Sequence, residues 1–347
     1  MDITLKNEQF EKYLLDYFKK EKVMGSIILS YQGKPIYKKH LGYQDIENNV
    51  PISDKTRFRF YSLTKPLVAT GIMLLYERGI VDIYAPLYKT LDIAKNLDKR
   101  ITVLDLLHHT SGLPEIASAL TLSYNDTVNF DKEIKSLEGQ PLDFDPSTKY
   151  FYRNTNYILL SLIIEKYSGE KLDKFLTENV LKPLGMDTVV FEYNDTEIPN
   201  KSLGYEYDEN GNLVKGEWVN MYRIFGAGFA VGRIADFYKF YEAVREKKLL
   251  KEETWKLVFT RAKAGRFGIG CMVLNYNDTI CYQHTGGHIG FRNIHRYFPN
   301  EDFDMLMLCN VGNNNVREDV LRKAYEIYLE KEDNMKNVEM DKGFATK

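Results

Sequence analysis

The chain has 347 residues, of which 44% are hydrophobic and 28% are charged, and its formal net charge is −2 at pH 7. This composition is typical of a globular protein with extensive cores, and it excludes a chain that is disordered overall. Charges of both signs are interspersed, so the chain offers no strong field for nucleic acid or an anionic membrane surface. We therefore expect a small molecule or a short peptide as the partner.

The chain starts without the basic-then-apolar order of a signal peptide, and no apolar run approaches the length that crosses a membrane. On this basis we expect a cytoplasmic protein with no membrane partner. Cys271, Cys281 and Cys309 are odd in number and lie in apolar stretches. This pattern favours buried, reduced thiols over a disulfide framework.

Hydrophobic periodicity predicts mainly helices in the first half of the chain, after an initial helix and hairpin. In chain order, the predicted elements are a helix over residues 7–20, strands over 23–30 and 35–41, and helices over 67–78, 103–109, 131–137, 154–167 and 172–180. Residues 114–149 are the least periodic part of the chain. A connection of this length is often a lid or a binding loop.

Hairpins dominate the second half. In chain order, the pattern predicts a hairpin of residues 205–207 and 213–214, a helix over 234–245, strands near 267–274, 280–285, 289–298 and 305–309, and a helix over 316–330. The charged tail from residue 332 onward is predicted to be frayed.

Ser62 and Lys65 form a Ser-x-x-Lys pattern in front of the buried helix. Residues three apart share one face of a helix, so the lysine amine can reach the serine hydroxyl, and free N–H groups of the first turn can meet developing negative charge. A second Ser-x-x-Lys, at Ser168, contains Gly169 where a helix should end. That copy predicts a helix cap.

Pro66 determines the local geometry expected at Ser62. A residue before proline is biased away from the α region, and proline prefers the first turn of a helix. We therefore predict that Ser62 and Lys65 lie in a tight or 3₁₀-like turn, and that the helix becomes regular from about Pro66. Residues i and i+3 still face each other in a 3₁₀ turn.

Two further patterns supply partners for a serine nucleophile, which needs a base to take its proton. Tyr152 and Asn154 form the only Tyr-x-Asn in a chain with 25 tyrosines. His284, Thr285 and Gly286 form the only Lys/His-Thr-Gly, at the end of a predicted strand. Small glycines there allow a substrate to lie against the strand edge.

Ser-x-x-Lys, then Tyr-x-Asn, then Lys/His-Thr-Gly resembles the motif set of the penicillin-recognising serine hydrolases. The tyrosine form is similar to the class C β-lactamase branch, which also includes penicillin-binding-protein-like proteins and esterases. Further segments resemble connecting motifs of that family: residues 106–114, 183–186, 226–228 and 290–292. Only the tail and residues 114–149 lie outside the resemblance.

The resemblance implies an α+β fold of the β-lactamase/transpeptidase type. Residues 1–65 and 226–331 would form an α/β lobe in which helices flank an antiparallel sheet. Residues 66–225 would form a mainly helical lobe, with the active site at the junction between the lobes.

The resemblance also implies the catalytic roles of three residues. Ser62 would attack a carbonyl to form an acyl-enzyme that water then hydrolyses. Lys65 and Tyr152 would share the proton transfer, and which of them is the base stays open.

The remaining family motifs imply substrate contacts. Asn154 would hydrogen-bond Lys65 and the substrate amide, and the backbone N–H groups of Ser62 and Gly287 would form the oxyanion hole. His284, Thr285 and Gly286 would line the strand that binds the substrate.

One departure affects the expected activity. His284 stands where antibiotic-hydrolysing relatives carry lysine, so a fixed positive charge becomes a neutral or titrating imidazole. An esterase or D-amino-acyl peptidase/amidase acting on a small ester, amide or peptide therefore ranks above a β-lactamase. The alternative from another class is a binding or sensor protein that is acylated without turnover.

The other histidines and glycines favour structural roles. His284, His288 and His295 lack the helical glutamate of the zinc-protease pattern, so no metal is expected. The glycines of residues 226–232 depart from the dinucleotide fingerprint, so no cofactor is expected. His108 and His109 precede a turn and are predicted to be structural.

Overall fold

The computed structural model describes residues 2–123, 126–193, 197–276 and 279–331, and the predicted tail of residues 332–347 lies outside the described residues. Its strands are β1 (Gly25–Tyr31), β2 (Lys34–Leu41), β3 (Tyr43–Asp45), β4 (Val50–Pro51), β5 (Arg57–Arg59), β6 (Val190–Phe191), β7 (Tyr205–Tyr207), β8 (Leu213–Lys215), β9 (Ala230–Arg233), β10 (Met272–Tyr276), β11 (Thr279–His288), β12 (Phe291–Phe298) and β13 (Phe303–Cys309).

The α-helices are α1 (Ile3–Lys20), α2 (Lys65–Glu77), α3 (Leu87–Thr90), α4 (Val103–His108), α5 (Ala117–Leu120), α6 (Phe130–Lys135), α7 (Asn154–Ser168), α8 (Leu172–Leu176), α9 (Phe225–Gly228), α10 (Ile234–Arg245), α11 (Glu252–Val258) and α12 (Val316–Leu329). Single 3₁₀ turns occur at Tyr61–Thr64, Asp92–Ala94, Lys182–Leu184 and Met221–Ile224, and a π-helical turn, Thr177–Leu181, extends α8. None of the helices in the described ranges combines the length and apolar composition needed to cross a bilayer.

The main sheet has six antiparallel strands in the order β10-β11-β12-β13-β1-β2. Strand β1 comes from the start of the chain and lies between β2 and the late strand β13, where Gly25 pairs with Cys309. The predicted antiparallel sheet with flanking helices is therefore confirmed, and so is the α+β class. The division into lobes at residues 66 and 225 stays a prediction.

Helices cover both faces of this sheet. Phe10 of α1 contacts Tyr37 of β2 and Tyr328 of α12, whereas Tyr241 of α10 stacks on His295 of β12. The strand register places Tyr37 and His295 on opposite faces. Every residue of β13 is buried, as expected for a strand between two helical layers.

A second group of helices packs beside the sheet. Helix α7 packs against α2, α4, α8 and α9, and the apolar residues of α2 are buried from Leu67 to Leu75. A small sheet in the order β5-β9-β6 connects this group to the Ser62 turn, which we define as the 3₁₀ turn Tyr61–Thr64. Next to this turn, the Phe60 N–H donates to the Ala230 carbonyl at 2.8 Å.

The structure confirms the predicted 3₁₀ geometry at Ser62, and α2 begins at Lys65, one residue before Pro66. The strand predicted near residues 267–274 is shorter, because β10 begins at Met272 and Phe267 meets it only through an isolated bridge. Gly169 ends α7 with a φ of 70°, which confirms the predicted cap.

The three cysteines are free thiols, as predicted, although only Cys281 and Cys309 are buried and Cys271 is partly exposed.

Candidate active site

Ser62 is the one partly exposed residue of the Ser62 turn, whose other residues are buried. Tyr61 and Leu63 are buried, whereas Ser62 keeps partial exposure. Tyr61 has a φ of 49°, in the left-handed region that bulky residues rarely adopt. Strain of this kind persists where surrounding packing enforces it, and it is common at functional sites.

Lys65 is completely buried and its amine contacts three oxygen atoms. Its Nζ lies 2.9 Å from Ser62 Oγ, 2.8 Å from Asn154 Oδ1 and 2.8 Å from the Ala227 carbonyl oxygen. None of these partners is a carboxylate, so an ammonium here is poorly compensated for its lost hydration. Burial accordingly lowers the pKa of Lys65 to about 7, although the Glu115 charge acts in the opposite direction.

Two glycines bring the Ala227 carbonyl within reach of Lys65. A Cβ atom at Gly226 would collide with Ser161 Oγ of α7, and a Cβ at Gly228 would collide with Ile224 Cδ1. Gly226 therefore lets α9 approach α7 more closely than a larger residue would allow, and Gly228 leaves room for the Ile224 side chain.

Tyr152 lies just before α7 and completes the centre. Lys65 Nζ lies 4.7 Å from the centroid of the Tyr152 ring, and His109 packs on the same ring at 4.3 Å between centroids. Burial raises the pKa of Tyr152 well above its usual value, and a hydrogen bond with Ser62 acts in the opposite direction. The phenol is therefore protonated at neutral pH.

The loop of residues 109–116 fastens the first turn of α7. The Glu115 carboxylate accepts hydrogen bonds from the backbone N–H groups of Asn154 and Thr155, at 2.8 and 2.7 Å. Ser111 donates to the Asn156 side chain at 2.6 Å. His109 belongs to the same loop and lies beside Asn156, with 3.1 Å between the Asn156 Nδ2 and the imidazole Nδ1. Asn154 is thus held from a segment some forty residues earlier.

Strand β11 runs directly beside the Ser62 turn. A Cβ atom at Gly286 would collide with the Phe60 carbonyl oxygen and lie 3.1 Å from the Leu63 nitrogen. Pairing with β10 ends at Gln283, so within the described ranges no strand pairs with the outer edge of residues 284–288. Thr285 is half-buried and Gly287 is exposed along this edge.

His284 is buried between β11 and the Tyr152 side of the site. Its Nδ1 lies 2.7 Å from the Thr285 carbonyl oxygen, and its ring centroid lies 6.2 Å from that of Tyr152. Burial first, and then the Lys65 charge, lower the pKa of His284 to about 3. The imidazole is therefore neutral at physiological pH and adds no positive charge to the cleft.

The structure brings the predicted residues together. Ser62, Lys65, Tyr152 and Asn154 share one network, and His284, Thr285, Gly286 and Gly287 lie on the adjacent strand. Their individual roles stay predictions. The described part of the chain holds no group of three or more His, Cys, Asp or Glu side chains arranged for a metal ion.

The sequence analysis did not identify two contributors to the site, the Glu115 carboxylate and the Ala227 carbonyl oxygen. His109, which is predicted to be structural, packs on the Tyr152 ring. No spacing rule connects Glu115 with a helix that starts at residue 154, so the sequence carries no signal for that carboxylate. The glycines around Ala227 were the one available indication of close packing.

A family model described as Beta-lactamase matches residues 19–330 of the chain. The chain belongs to this family. The Beta-lactamase family match spans all elements that build the site, from the Ser62 turn to β11. It agrees with the resemblance carried by the three motifs.

Individual members are more distant. Penicillin-binding protein 4* of Bacillus subtilis (strain 168) is 26% identical, with 89% of this chain and 73% of the relative covered. The D-amino acid amidase structure from Ochrobactrum anthropi SV3 superposes with a TM-score of 0.82 at 22% identity, covering 93% of this chain and 99% of the other. The octameric penicillin-binding protein homologue from Pyrococcus abyssi gives a TM-score of 0.80 at 23% identity, covering 96% and 78%. The two structural matches show that the fold is shared.

Proposed function

We propose that this Beta-lactamase family protein is a serine hydrolase that forms an acyl-enzyme on Ser62 and acts on D-amino-acyl amides or peptides, or on small carboxylic esters. The observation that carries the proposal is the contact set of the buried Lys65 amine. The shared fold with the D-amino acid amidase from Ochrobactrum anthropi SV3 supports the substrate class.

The Lys65 contacts suit a base. A neutral amine has two N–H groups and one lone pair, and the three oxygen contacts divide accordingly. The Asn154 Oδ1 and Ala227 carbonyl oxygens can only accept, so they take the two N–H groups. The lone pair then faces Ser62 Oγ at 2.9 Å, where it can accept the hydroxyl proton.

Acylation follows from this arrangement. Ser62 Oγ attacks the substrate carbonyl carbon while its proton moves to Lys65. The bond from that carbon to the leaving nitrogen or oxygen breaks, and Tyr152 donates its phenolic proton to the leaving group. The phenolate is then reprotonated from Lys65, so the proton lost by Ser62 replaces the one that Tyr152 gave to the leaving group. Water later attacks the ester and returns a proton to Ser62.

Substrate placement follows from β11. The free edge of residues 284–288 offers backbone groups to an extended amide substrate. The N–H groups of Ser62 and Gly287 are proposed to stabilise the oxyanion, a contribution typically of several kcal/mol. The neutral His284 provides no charge for the carboxylate of a β-lactam, so esters and amides rank above antibiotics.

Active-site labelling tests the nucleophile. A fluorophosphonate probe should label the wild type covalently, and Ser62→Ala should lose that label completely, because Ser62 supplies the hydroxyl that contacts the Lys65 amine. Ser168→Ala, at the second Ser-x-x-Lys, is the matched control and should label like the wild type. Persistent labelling of folded Ser62→Ala would contradict the proposal.

A substrate panel tests the reaction. p-Nitrophenyl esters, D- and L-amino-acid amides and nitrocefin should be compared at equal enzyme concentration, with turnover of the esters or D-amides expected to exceed that of nitrocefin. Rapid nitrocefin turnover would reverse the ranking. An acyl adduct on Ser62 that persists for hours by mass spectrometry would instead support a binding or sensor protein.

A further inference from the structure

We propose that Glu115 is a positioning residue for the reaction at Ser62: its carboxylate anchors the turn of α7 that carries Asn154, and its negative charge acts on the Lys65 amine from the far side of Asn154. This inference rests on the proposed function, because it assigns Glu115 an effect on the base of that reaction. Glu115 would act through Lys65 and Asn154 without touching the substrate.

The anchoring contacts are local and short. A helix leaves its first N–H groups without partners inside the helix. At α7 the N-cap residue Arg153 makes no side-chain capping hydrogen bond. Glu115 fills this role, because its two carboxylate oxygens accept from Asn154 N at 2.8 Å, from Thr155 N at 2.7 Å and from Thr155 Oγ1 at 2.7 Å. A carboxylate at the N-terminus of a helix also interacts favourably with the positive end of the helix dipole.

The anchored residue is the one that holds the base. Asn154 donates its backbone N–H to Glu115, while its side-chain Oδ1 accepts from Lys65 Nζ at 2.8 Å. A shift of the first turn of α7 therefore moves the amine relative to Ser62. Displacements of about 1 Å in a catalytic centre can cost on the order of 100-fold in rate.

Within the described ranges, no other charged group opposes the effect of Glu115 on the Lys65 amine. The other titratable groups facing Lys65 are the phenols of Tyr152 and Tyr157 and the imidazoles of His109 and His284. Burial raises the pKa of both phenols and lowers the pKa of both imidazoles, so all four are neutral near pH 7.

The guanidinium next to Asn154 in the chain, that of Arg153, is paired with Asp143 at 2.8 Å. Glu115 is the carboxylate whose charge opposes the effect of burial on the Lys65 amine. Removing the negative charge should therefore lower the pKa of Lys65 further, and the amine should stay an active base at lower pH.

Two substitutions separate the charge from the anchor. Glu115→Gln removes the charge and also replaces one accepting oxygen with an NH2 donor, so only its midpoint reports on the charge. Glu115→Asp keeps the charge but shortens the side chain, so its plateau reports on the anchor. The control is Glu133→Gln on α6, because Glu133 also accepts from a backbone N–H of the same region, that of Ser118 at 3.0 Å. The charge of Glu133 is not among those that shift the pKa of Lys65.

The measurement is the single-turnover rate of fluorophosphonate labelling between pH 5 and pH 9. We expect the decline of the rate at acid pH to move about 0.5 to 1 pH unit lower in Glu115→Gln, which is roughly a three- to tenfold gain relative to its own plateau at a pH below the wild-type midpoint. Glu115→Asp should keep the wild-type midpoint with a plateau reduced by about tenfold or more. Glu133→Gln should match the wild type in both.

The outcomes separate the two hypotheses. If the wild type is labelled at Ser62 and Glu115→Gln has the same pH midpoint as the wild type, the role of the charge is overturned. An unchanged plateau in Glu115→Asp overturns the role of the anchor, and this variant still decides that part of the proposal if Glu115→Gln is not recovered as folded protein. Failure of the wild type to label at Ser62 would instead reject the proposed function.

Discussion

At the scale of single residues, Lys65 shows how the site trades stability for reactivity. A buried lysine without a carboxylate partner is unfavourable as an ammonium, so folding shifts its pKa from an ordinary 10.5 to about 7. The same shift makes the amine a usable base near neutral pH, because a catalytic group works best when its pKa lies near the working pH.

The lowered pKa of Lys65 predicts that the difference in stability between the wild type and Lys65→Met depends on pH. Between about pH 7 and pH 10.5 the unfolded wild type holds a proton at Lys65 that the native state has released. Raising the pH through this window therefore favours the native state. We expect the unfolding free energy of the wild type minus that of Lys65→Met to rise by up to about 1.4 kcal/mol per pH unit.

Urea unfolding of both proteins at pH 7, 8, 9 and 10 measures this difference. Lys256→Met provides the control, since the Lys256 side chain on α11 is 71% exposed, and its difference from the wild type should stay flat. A difference for Lys65→Met that is flat or falls with pH would mean that the native state retains the proton.

At the scale of elements, the site depends on three segments that touch at backbone distance: the Ser62 turn, α9 and β11. Gly286 lies where β11 meets the Ser62 turn, Gly226 lies where α9 meets α7, and Gly228 lies against the Ile224 side chain. None of the three tolerates a Cβ atom without movement of its neighbours. Lack of space for a Cβ atom explains why glycine is required here, because these three positions do not have positive φ.

Gly286→Ala tests the contact between β11 and the Ser62 turn. The new Cβ would collide with the Phe60 carbonyl oxygen, so the turn must shift away from the strand. We expect a folded but less stable variant whose fluorophosphonate labelling is slowed by roughly 10- to 100-fold, since the displacement falls at the nucleophile.

Gly211→Ala is the comparison for that variant. Gly211 lies between β7 and β8 with open space around its Cβ position and a φ of 72°. The change should cost about 1 kcal/mol of stability for the left-handed conformation and leave the labelling rate unchanged. Equal labelling rates for the two alanine variants would argue that the β11 contact does not position Ser62.

At the scale of the whole molecule, the sheet joins the two ends of the chain. Strands β1 and β2 precede the Ser62 turn, whereas β10 to β13 follow the long helical segment, and β1 pairs directly with β13. The helical segment begins and ends beside this sheet. Unfolding of the sheet should therefore remove the support of both Ser62 and β11, so we expect one cooperative transition.

Two core substitutions test this cooperativity. Phe10 on α1 and Leu160 on α7 are both 0% exposed, and they lie in the sheet region and the helical region respectively. Phe10→Ala should cost about 3–5 kcal/mol and Leu160→Ala about 2–5 kcal/mol. Both should lower the midpoint of one shared transition, observed identically by tryptophan fluorescence and far-UV circular dichroism.

Two separate transitions, each shifted by only one of the substitutions, would show instead that the regions unfold independently. The labelling rate of folded Phe10→Ala should equal that of the wild type, because Phe10 lies on the sheet face opposite to His295 and His284.

The sequence by itself determined the nucleophile candidate, its turn geometry and the element order. These features depend on neighbours in the chain: Pro66 biases the residue before it, Ser62 and Lys65 are three apart, and alternating apolar residues mark strands. The three motifs in order also identified the family that the comparison shows.

Only the tertiary structure decided how Lys65 is held and tuned. Its contacts with Asn154 and Ala227 join residues 89 and 162 positions away, and the Glu115 carboxylate that fastens α7 comes from 39 positions before Asn154. No local pattern encodes such distances, because they are set by the packing of α2, α7, α9 and the 109–116 loop. Burial, which lowers the pKa of the amine to about 7, likewise exists only once these segments are packed together.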